Sequence, residues 1–290
     1  MNADRHVFTL TGNLLAERTL EYARWTPGRT QRARAESFQV GGKGINVTKM
    51  LTRLGCPSTA LCFTGGAPGA ECEAWLRERR LPHRSFATRT ATRVGTVVRD
   101  ATGPETTFLG PDAAPDKAAV RACAEFLDAQ RDGQVLAICG SLPGWAGADL
   151  DPLRAALSRW LARGSLVVDT YGPPLAWFLE RPIALLKINA DELATIAGLG
   201  AGELPAKIAR IIITDGPKPV RVRDADGSTA TLTPPVVREV SPVGSGDVLF
   251  ACALEAIYRR GLKLRQAVEF ALPYASANAA DPGVAEFPEP

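Results

Sequence analysis

Short, almost unbroken apolar runs alternate along this chain with segments of helical periodicity, and few architectures accept that pattern. Val7-Phe8-Thr9-Leu10, Thr59 to Phe63, Val135-Leu136-Ala137-Ile138-Cys139, Leu166-Val167-Val168, Ile183-Ala184-Leu185-Leu186 and Ile211-Ile212-Ile213 read as strands. The last four are near-continuously apolar, which suits central strands covered on both faces. Ile45 to Leu54 reads as a helix with Val47, Met50, Leu51 and Leu54 on one face, stopped by Gly55. Leu153 to Ala162, Asp191 to Ala197 and Val248 to Arg260 carry further helical patterns. Strand and helix in alternation predict an α/β fold whose parallel sheet is flanked by helices. At 290 residues the chain suits one large domain with a small appendage.

Residues 20–40 and 88–110 break the rhythm. They are rich in Thr, Arg and Val and poor in long apolar helices, so they are expected to form an antiparallel ribbon projecting from the main body. There is no internal repeat and no low-complexity linker, and the Pro-rich tail from Asp281 to Pro290 is expected to end irregularly. Apolar residues make up 46% and charged residues 22%, the balance of a soluble globular protein. A net charge of +3 is too mild to argue for nucleic acid, and Thr88 to Arg93 reads as a solvated loop or edge strand. No apolar run approaches the roughly 18 residues that span a bilayer. Met1 to His6 has no basic start followed by an apolar signal core, so a cytoplasmic location is expected. The six cysteines form no C-x-x-C, and His6 and His83 are far apart in the chain. Reduced, structural cysteines are therefore favoured over a zinc site.

Four segments carry candidate chemistry. Gly41-Gly42-Lys43-Gly44-Ile45-Asn46 precedes a helix. Its glycines let backbone N–H groups approach a ligand, and the helix start favours electron-rich groups. It lacks the spacing of a Walker A loop, and a plain structural turn is the alternative. Pro242-Val243-Gly244-Ser245-Gly246-Asp247 opens another helix. Its N–H groups can form a concave anion nest that stabilises a transferring phosphoryl group. An Asp in a first turn also serves simply as a helix-dipole residue. In Lys187-Ile188-Asn189-Ala190-Asp191-Glu192, Asn189 and Glu192 share one helical face. That pair suits a hydrated Mg2+, or equally a capping box. Cys139-Gly140-Ser141-Leu142-Pro143-Gly144 ends a buried strand, where Ser141 offers a hydroxyl or the segment merely turns.

These motifs, in this order, resemble the PfkB (ribokinase-like) carbohydrate kinase family, in its 1-phosphofructokinase and tagatose-6-phosphate kinase-like branch. Gly-Gly-Lys-Gly-Ile-Asn-Val at 41–47 together with Val-Gly-Ser-Gly-Asp at 243–247 carries most of the likeness, which covers essentially the whole chain. Asn13 to Thr19 looks like that branch's Asn-Pro-Ala-x-Asp segment, and Asp169-Thr170, Lys187 to Glu192 and Ala275 to Asn278 also look like it. The resemblance implies a three-layer α/β/α domain over 1–290 with a mostly parallel sheet and a β-lid from about 14–40 and 88–110. It implies an ATP- and Mg2+-dependent transfer to a sugar or sugar-phosphate hydroxyl, with Asp247 as general base. Gly244, Ser245, Gly246 and Asp247 would hold the transferring phosphoryl through their N–H groups. Lys187 would reach the ATP phosphates, and Asn189 and Glu192 would organise Mg2+ through water. Thr214, Gly216 and Asn278 would lie on the nucleotide side. Asn13, Glu17, Gly41, Gly42, Asn46 and Ser141 would meet the acceptor. A homodimer through the lid is also implied.

The departures bear on the acceptor. Glu17 stands where the family has Asp, and a displacement of about 1 Å can cost roughly 10²-fold in rate. Gly95 stands where Asn is expected, and Phe108 and Leu109 replace polar positions. Thr214 to Pro219 replaces a Gly-x-x-Gly turn. Arg29, Lys43 and Arg93 together would form a cationic clamp for a sugar phosphate. The lost Asn and the apolar Phe108-Leu109 instead suggest an unphosphorylated sugar or nucleoside. Glu17 and the Pro-rich loop leave open a binding or regulatory homologue without turnover.

Overall fold

The computed structural model describes residues 5–101, 105–196 and 207–290. The central sheet contains β1 (Val7–Thr11), β4 (Ser58–Thr64), β5 (His83–Ala87), β8 (Val135–Cys139), β9 (Ser165–Asp169), β10 (Leu185–Asn189), β11 (Ile211–Thr214), β12 (Val220–Arg223) and β13 (Thr229–Leu232). Their order is β13-β12-β11-β10-β9-β8-β1-β4-β5. Strands from β5 through β11 pair in parallel, and β12 and β13 close one edge antiparallel.

Successive residues of a strand face opposite sides of a sheet. Val7, Ala137, Val167, Leu185 and Ile212 accordingly pack on one face against α1 (Lys43–Arg53), α7 (Ser245–Tyr258) and α8 (Leu264–Ala279). Phe8, Leu136, Ile138, Leu166, Val168 and Leu186 pack on the other against α3 (Lys117–Asp128), α4 (Asp151–Leu161) and α5 (Pro173–Leu179). The result is three layers, helix on sheet on helix. Every residue of α7 from Asp247 to Tyr258 is buried, so this helix lies inside the core and not on its surface.

The second sheet has the order β3-β2-β6-β7, built from β2 (Leu15–Tyr22), β3 (Ala35–Gly41), β6 (Arg93–Asp100) and β7 (Thr106–Leu109). The expected antiparallel ribbon holds for the β2–β3 and β6–β7 pairs, but β2 and β6 pair in parallel. β2 follows β1, and β6 follows β5, which runs parallel to β1 through β4. Two strands leaving the main sheet in one direction, far apart in the chain and joined by no tight turn, meet side by side in the same sense. A third helix-packed patch lies beneath, where α2 (Gly66–Glu78) covers Ala16, Val40, Ala60 and Cys62 with Trp75 and Leu76.

Some boundaries shift from the sequence reading. The strand expected at 183–186 runs 185–189, because Lys187 is buried within it with its charge matched by Asp169. The helix expected from Val248 starts at Ser245. The helix expected over 191–197 runs Ala190–Ala194, and Ala197 lies outside the described residues, as do Met1 to Asp4 and residues 102–104 of the lid. Periodicity did not reveal α2, α3, α8 or the β12–β13 hairpin. Among the described residues no helix is long and apolar enough to cross a membrane.

Candidate active site

Strand order reverses between β1 and β8, so the chain diverges at their carboxyl ends and leaves a crevice there. A cavity of about 470 Å³ opens at that point, roofed by the lid sheet. Thr11, Asn13, Gly140 and Ser141 come to it from the strand ends, Glu17, Gly41 and Arg93 from the lid, Gly42, Lys43 and Asn46 from the start of α1, and Gly244, Gly246 and Asp247 from the start of α7.

The glycines have packing reasons as well as chemical ones. A Cβ on Gly44 would lie 2.4 Å from Thr11 Oγ1, so glycine lets α1 press against the end of β1. Gly244 takes φ +77, and a Cβ there would meet Val284 Cγ1 at 2.4 Å. A left-handed residue at the N-cap turns the chain sharply enough to aim the first N–H groups of α7 at the cavity.

Asp247 is buried in the first turn of α7, and Asn46 Nδ2 donates to its Oδ2 at 2.8 Å. Burial, helped by the nearby Asp169 carboxylate, pushes its pKa up to about 6, against the opposing pull of Lys43, Lys187 and Asn46. Asp169, fully buried at the end of β9, accepts from Lys43 Nζ through Oδ1 and from Lys187 Nζ through Oδ2, each at 2.7 Å. Burial pushes the Asp169 carboxyl up, but the Lys187 and Lys43 ammoniums outweigh it and hold the group below its ordinary range. Burial likewise opposes the charge on Lys43, yet Asp169 and then Asp247 raise its pKa overall. One carboxylate thus fixes two ammoniums beside the α7 terminus, and Lys187 Nζ lies 3.0 Å from where a Cβ of Gly246 would stand.

Asn189 and Glu192 form the capping box of the short helix after β10. Asn189 Oδ1 accepts from Glu192 N at 2.7 Å, and Glu192 Oε2 accepts from Asn189 N at 3.1 Å. Glu192 Oε1 stands 3.8 Å from Lys43 Nζ. Among the described residues no cluster of three or more His, Cys, Asp and Glu could hold a metal. A Mg2+ ion that keeps most of its waters would ask of Asn189 and Glu192 only oxygen acceptors for those waters.

At the lid end of the cavity, Asn13 Nδ2 donates to Ser141 Oγ at 3.1 Å and to Asp112 Oδ1 at 2.8 Å. Arg93 pairs with the same Asp112 oxygen at 3.3 Å. Glu17, buried on β2, accepts from Gln39 Nε2 and lies opposite Gly95. Thr214 borders both this cavity and an adjoining apolar pocket of about 250 Å³, shared by Gly216, Pro217, Val237, Ala275 and Ser276.

Two expected residues fall elsewhere. Arg29 is exposed in the connection between β2 and β3 and does not line the cavity, so the cationic clamp is not assembled. Asn278 is fully buried, with Nδ2 donating to Val243 O and Ser245 Oγ and Oδ1 accepting from Ala285 N. It braces the glycine loop from behind and has no surface for a nucleotide. Sequence reasoning gave no role to Asp169 or Asp112. An Asp ending the apolar run Leu166-Val167-Val168 was a usable signal for the first; a carboxylate in a connecting segment offered none for the second.

The family model for pfkB family carbohydrate kinases matches residues 11–290. The chain belongs to this family. Its fold is the ribokinase-like one expected from the motifs, and it is a phosphotransferase with an alcohol group as acceptor. It is 28% identical over 261 residues to the ATP-dependent 6-phosphofructokinase isozyme 2 of Escherichia coli, covering 85% of this chain and 83% of that protein. It is 26% identical to the 1-phosphofructokinase of Bacillus subtilis, covering 94% and 92%. The structure of Escherichia coli phosphofructokinase-2 in complex with substrates and products superposes with a TM-score of 0.88 at 25% identity, covering 97% and 95%.

Proposed function

We propose that this kinase transfers the γ-phosphoryl group of ATP to a hydroxyl of a sugar phosphate, with Asp247 as general base. The observation that carries the reading is the position of Asp247. Its carboxylate faces the acceptor cavity, beside the N–H groups that open α7, with a pKa of about 6. A base poised near the working pH combines the correct protonation state with driving force for proton transfer. Asn46 orients the carboxylate. The N–H groups at Gly244 to Asp247 and the Lys43–Asp169–Lys187 unit stand where negative charge is spread over the transferring phosphoryl. Lys187 is the cation for the ATP phosphates, and the pocket bounded by Gly216, Val237 and Ala275 takes the base. A Mg2+ ion bound with the nucleotide would neutralise phosphate charge, and Asn189 and Glu192 would meet its water shell. The phosphofructokinase names of the relatives support a phosphorylated acceptor.

A second reading, an unphosphorylated sugar or nucleoside, draws support from the lid. Arg93 faces Asp112 and Arg99 faces Glu105, so both cations already meet carboxylates. An ADP-release screen over sugar phosphates, neutral sugars and nucleosides separates the two. A kinase predicts Mg2+-dependent release that vanishes in Asp247→Asn; no release with any acceptor would return the protein to a binding role. We also read residues 1–290 as one kinase domain and its location as cytoplasmic, in keeping with six buried, unpaired cysteines. Val94 and Phe108 expose apolar surface on the lid face turned away from the cavity, which supports a second copy covering that face. Phe108→Asp should lower the mass in light scattering; an unchanged mass would remove the lid from the interface.

A further inference from the structure

We infer that Asp112 is a specificity determinant of the acceptor site, set to weaken the grip of Arg93 on a phosphate group. The inference rests on the proposed kinase reading, in which Arg93 meets the far end of the acceptor. Asp112 lies in the segment that returns from β7 to α3, at the root of the lid. Asn13 holds that segment with both ends of its amide. Nδ2 donates to Asp112 Oδ1 at 2.8 Å, and Oδ1 accepts from Ala113 N at 3.3 Å. The carboxylate is thereby kept against Arg93 Nη1 at 3.3 Å.

Arg93 has the features of a ligand-binding guanidinium. Its side chain is only 13% exposed, it lines the cavity, and its buried Nε has no hydrogen-bond partner. A guanidinium recognises phosphate with two parallel donors, and Asp112 Oδ1 occupies the direction of one of them. An arriving phosphate must displace the carboxylate before both donors can hold it, and Asp112 already neutralises part of the guanidinium's attraction. A neutral acceptor meets no such opposition, and its hydroxyls can donate to Asp112. The Asp112 side chain is 63% exposed, so water screens part of this effect and the expected factor is modest.

The test compares the parent, Asp112→Asn, Asp112→Ala, Arg93→Gln and the Asp112→Asn/Arg93→Gln double variant. With fructose 6-phosphate and fructose 1-phosphate as acceptors, both Asp112 variants should lower the acceptor KM about three- to tenfold. KM for ATP should move less than about twofold, because Asp112 pairs with Arg93 and does not border the pocket shared by Gly216, Val237 and Ala275. In the Arg93→Gln background, Asp112→Asn should bring no gain, since the mechanism acts through Arg93. Titration of the same proteins with inorganic phosphate by calorimetry should show tighter binding to Asp112→Asn than to the parent, again only when Arg93 is present. An acceptor KM that is unchanged or higher, or a gain that survives without Arg93, overturns the inference. If no protein turns over a sugar phosphate, the sugar-phosphate reading fails. The phosphate titration then decides the inference alone, tighter binding supporting it and equal binding overturning it.

Discussion

Asp169→Asn offers the sharpest trial of the charge arrangement at the site. The substitution keeps the shape of a side chain with no exposed surface and removes its charge from between two ammoniums, each 2.7 Å away. Removing one partner of a buried ion pair costs about 3–5 kcal/mol, because the remaining charge is left buried without compensation. In a chain of this length that corresponds to a fall in Tm of roughly 5–8 °C. A structural role alone would end there, but Asp247 should respond as well. Its pKa of about 6 comes first from burial and then from the Asp169 carboxylate, against the pull of Lys43 and Lys187. With Asp169 neutral, the repulsion disappears and both lysines remain, so the Asp247 pKa must fall. As base, Asp247 works ionised, so in the parent kcat/KM for the acceptor declines as pH drops through about 6. In Asp169→Asn that acid limb should move down by about one pH unit. The assay is a pH profile of kcat/KM at saturating ATP, measured below the lowered Tm. A limb that stays near pH 6 or moves upward, with Tm lowered as stated, would refute the electrostatic coupling of the two carboxylates.

Asp247→Asn should reduce kcat by about 10³-fold with ATP binding largely retained, as single-turnover kinetics and nucleotide titration will show. It should also stabilise the protein at pH 7.5. The folded pKa of about 6 lies above the ordinary 3.8, so ionising this buried carboxyl costs the native state increasingly from pH 4 to 6, and fully above that. Asparagine removes that cost, worth roughly 2–3 kcal/mol, and an unchanged or lower urea midpoint at pH 7.5 would contradict it. Gly44→Ala tests whether the close approach of α1 to β1 outweighs helix propensity. Alanine should favour the helix by about 1 kcal/mol. The 2.4 Å approach to Thr11 Oγ1 predicts instead a net loss of about 1–3 kcal/mol in urea unfolding.

The parallel sheet was legible because β8, β9 and β11 are continuous apolar runs, a local property that survives into the fold. The start of α7 was legible because Gly244 and Asp247 announce both a turn and a helix terminus. The lid was legible in place but not in pairing, since the β2–β6 register joins segments far apart in the chain and leaves no local trace. Lys187 was readable as a cation at the end of an apolar strand. Its burial inside a strand depends on Asp169, and a pairing between distant residues has no local pattern. Asn278 shows the reverse failure: a family position suggested a ligand, whereas three hydrogen bonds to its own loop use up the amide. Arg29 missed the cavity because the connection between β2 and β3 carries it to the exposed rim.

The burial of α7 from Asp247 to Tyr258 also has a consequence for how the chain is made. The lid side of the cavity is supplied by residues up to Ser141, whereas Asp247 and the N–H groups that open α7 wait for 244–247. Until α7 inserts, the sheet face formed by Val7, Ala137, Val167, Leu185 and Ile212 has no cover from it, and neither has the inner side of α1. Synthesis of the residues from Gly244 to Pro290 takes roughly 2–9 s at ~5–20 residues per second. During that interval a half-built kinase presents a broad apolar face with no means of closing it. A chaperone that binds nascent chains should therefore engage this protein late, over the sheet face and not the lid, and release it when α7 and α8 dock.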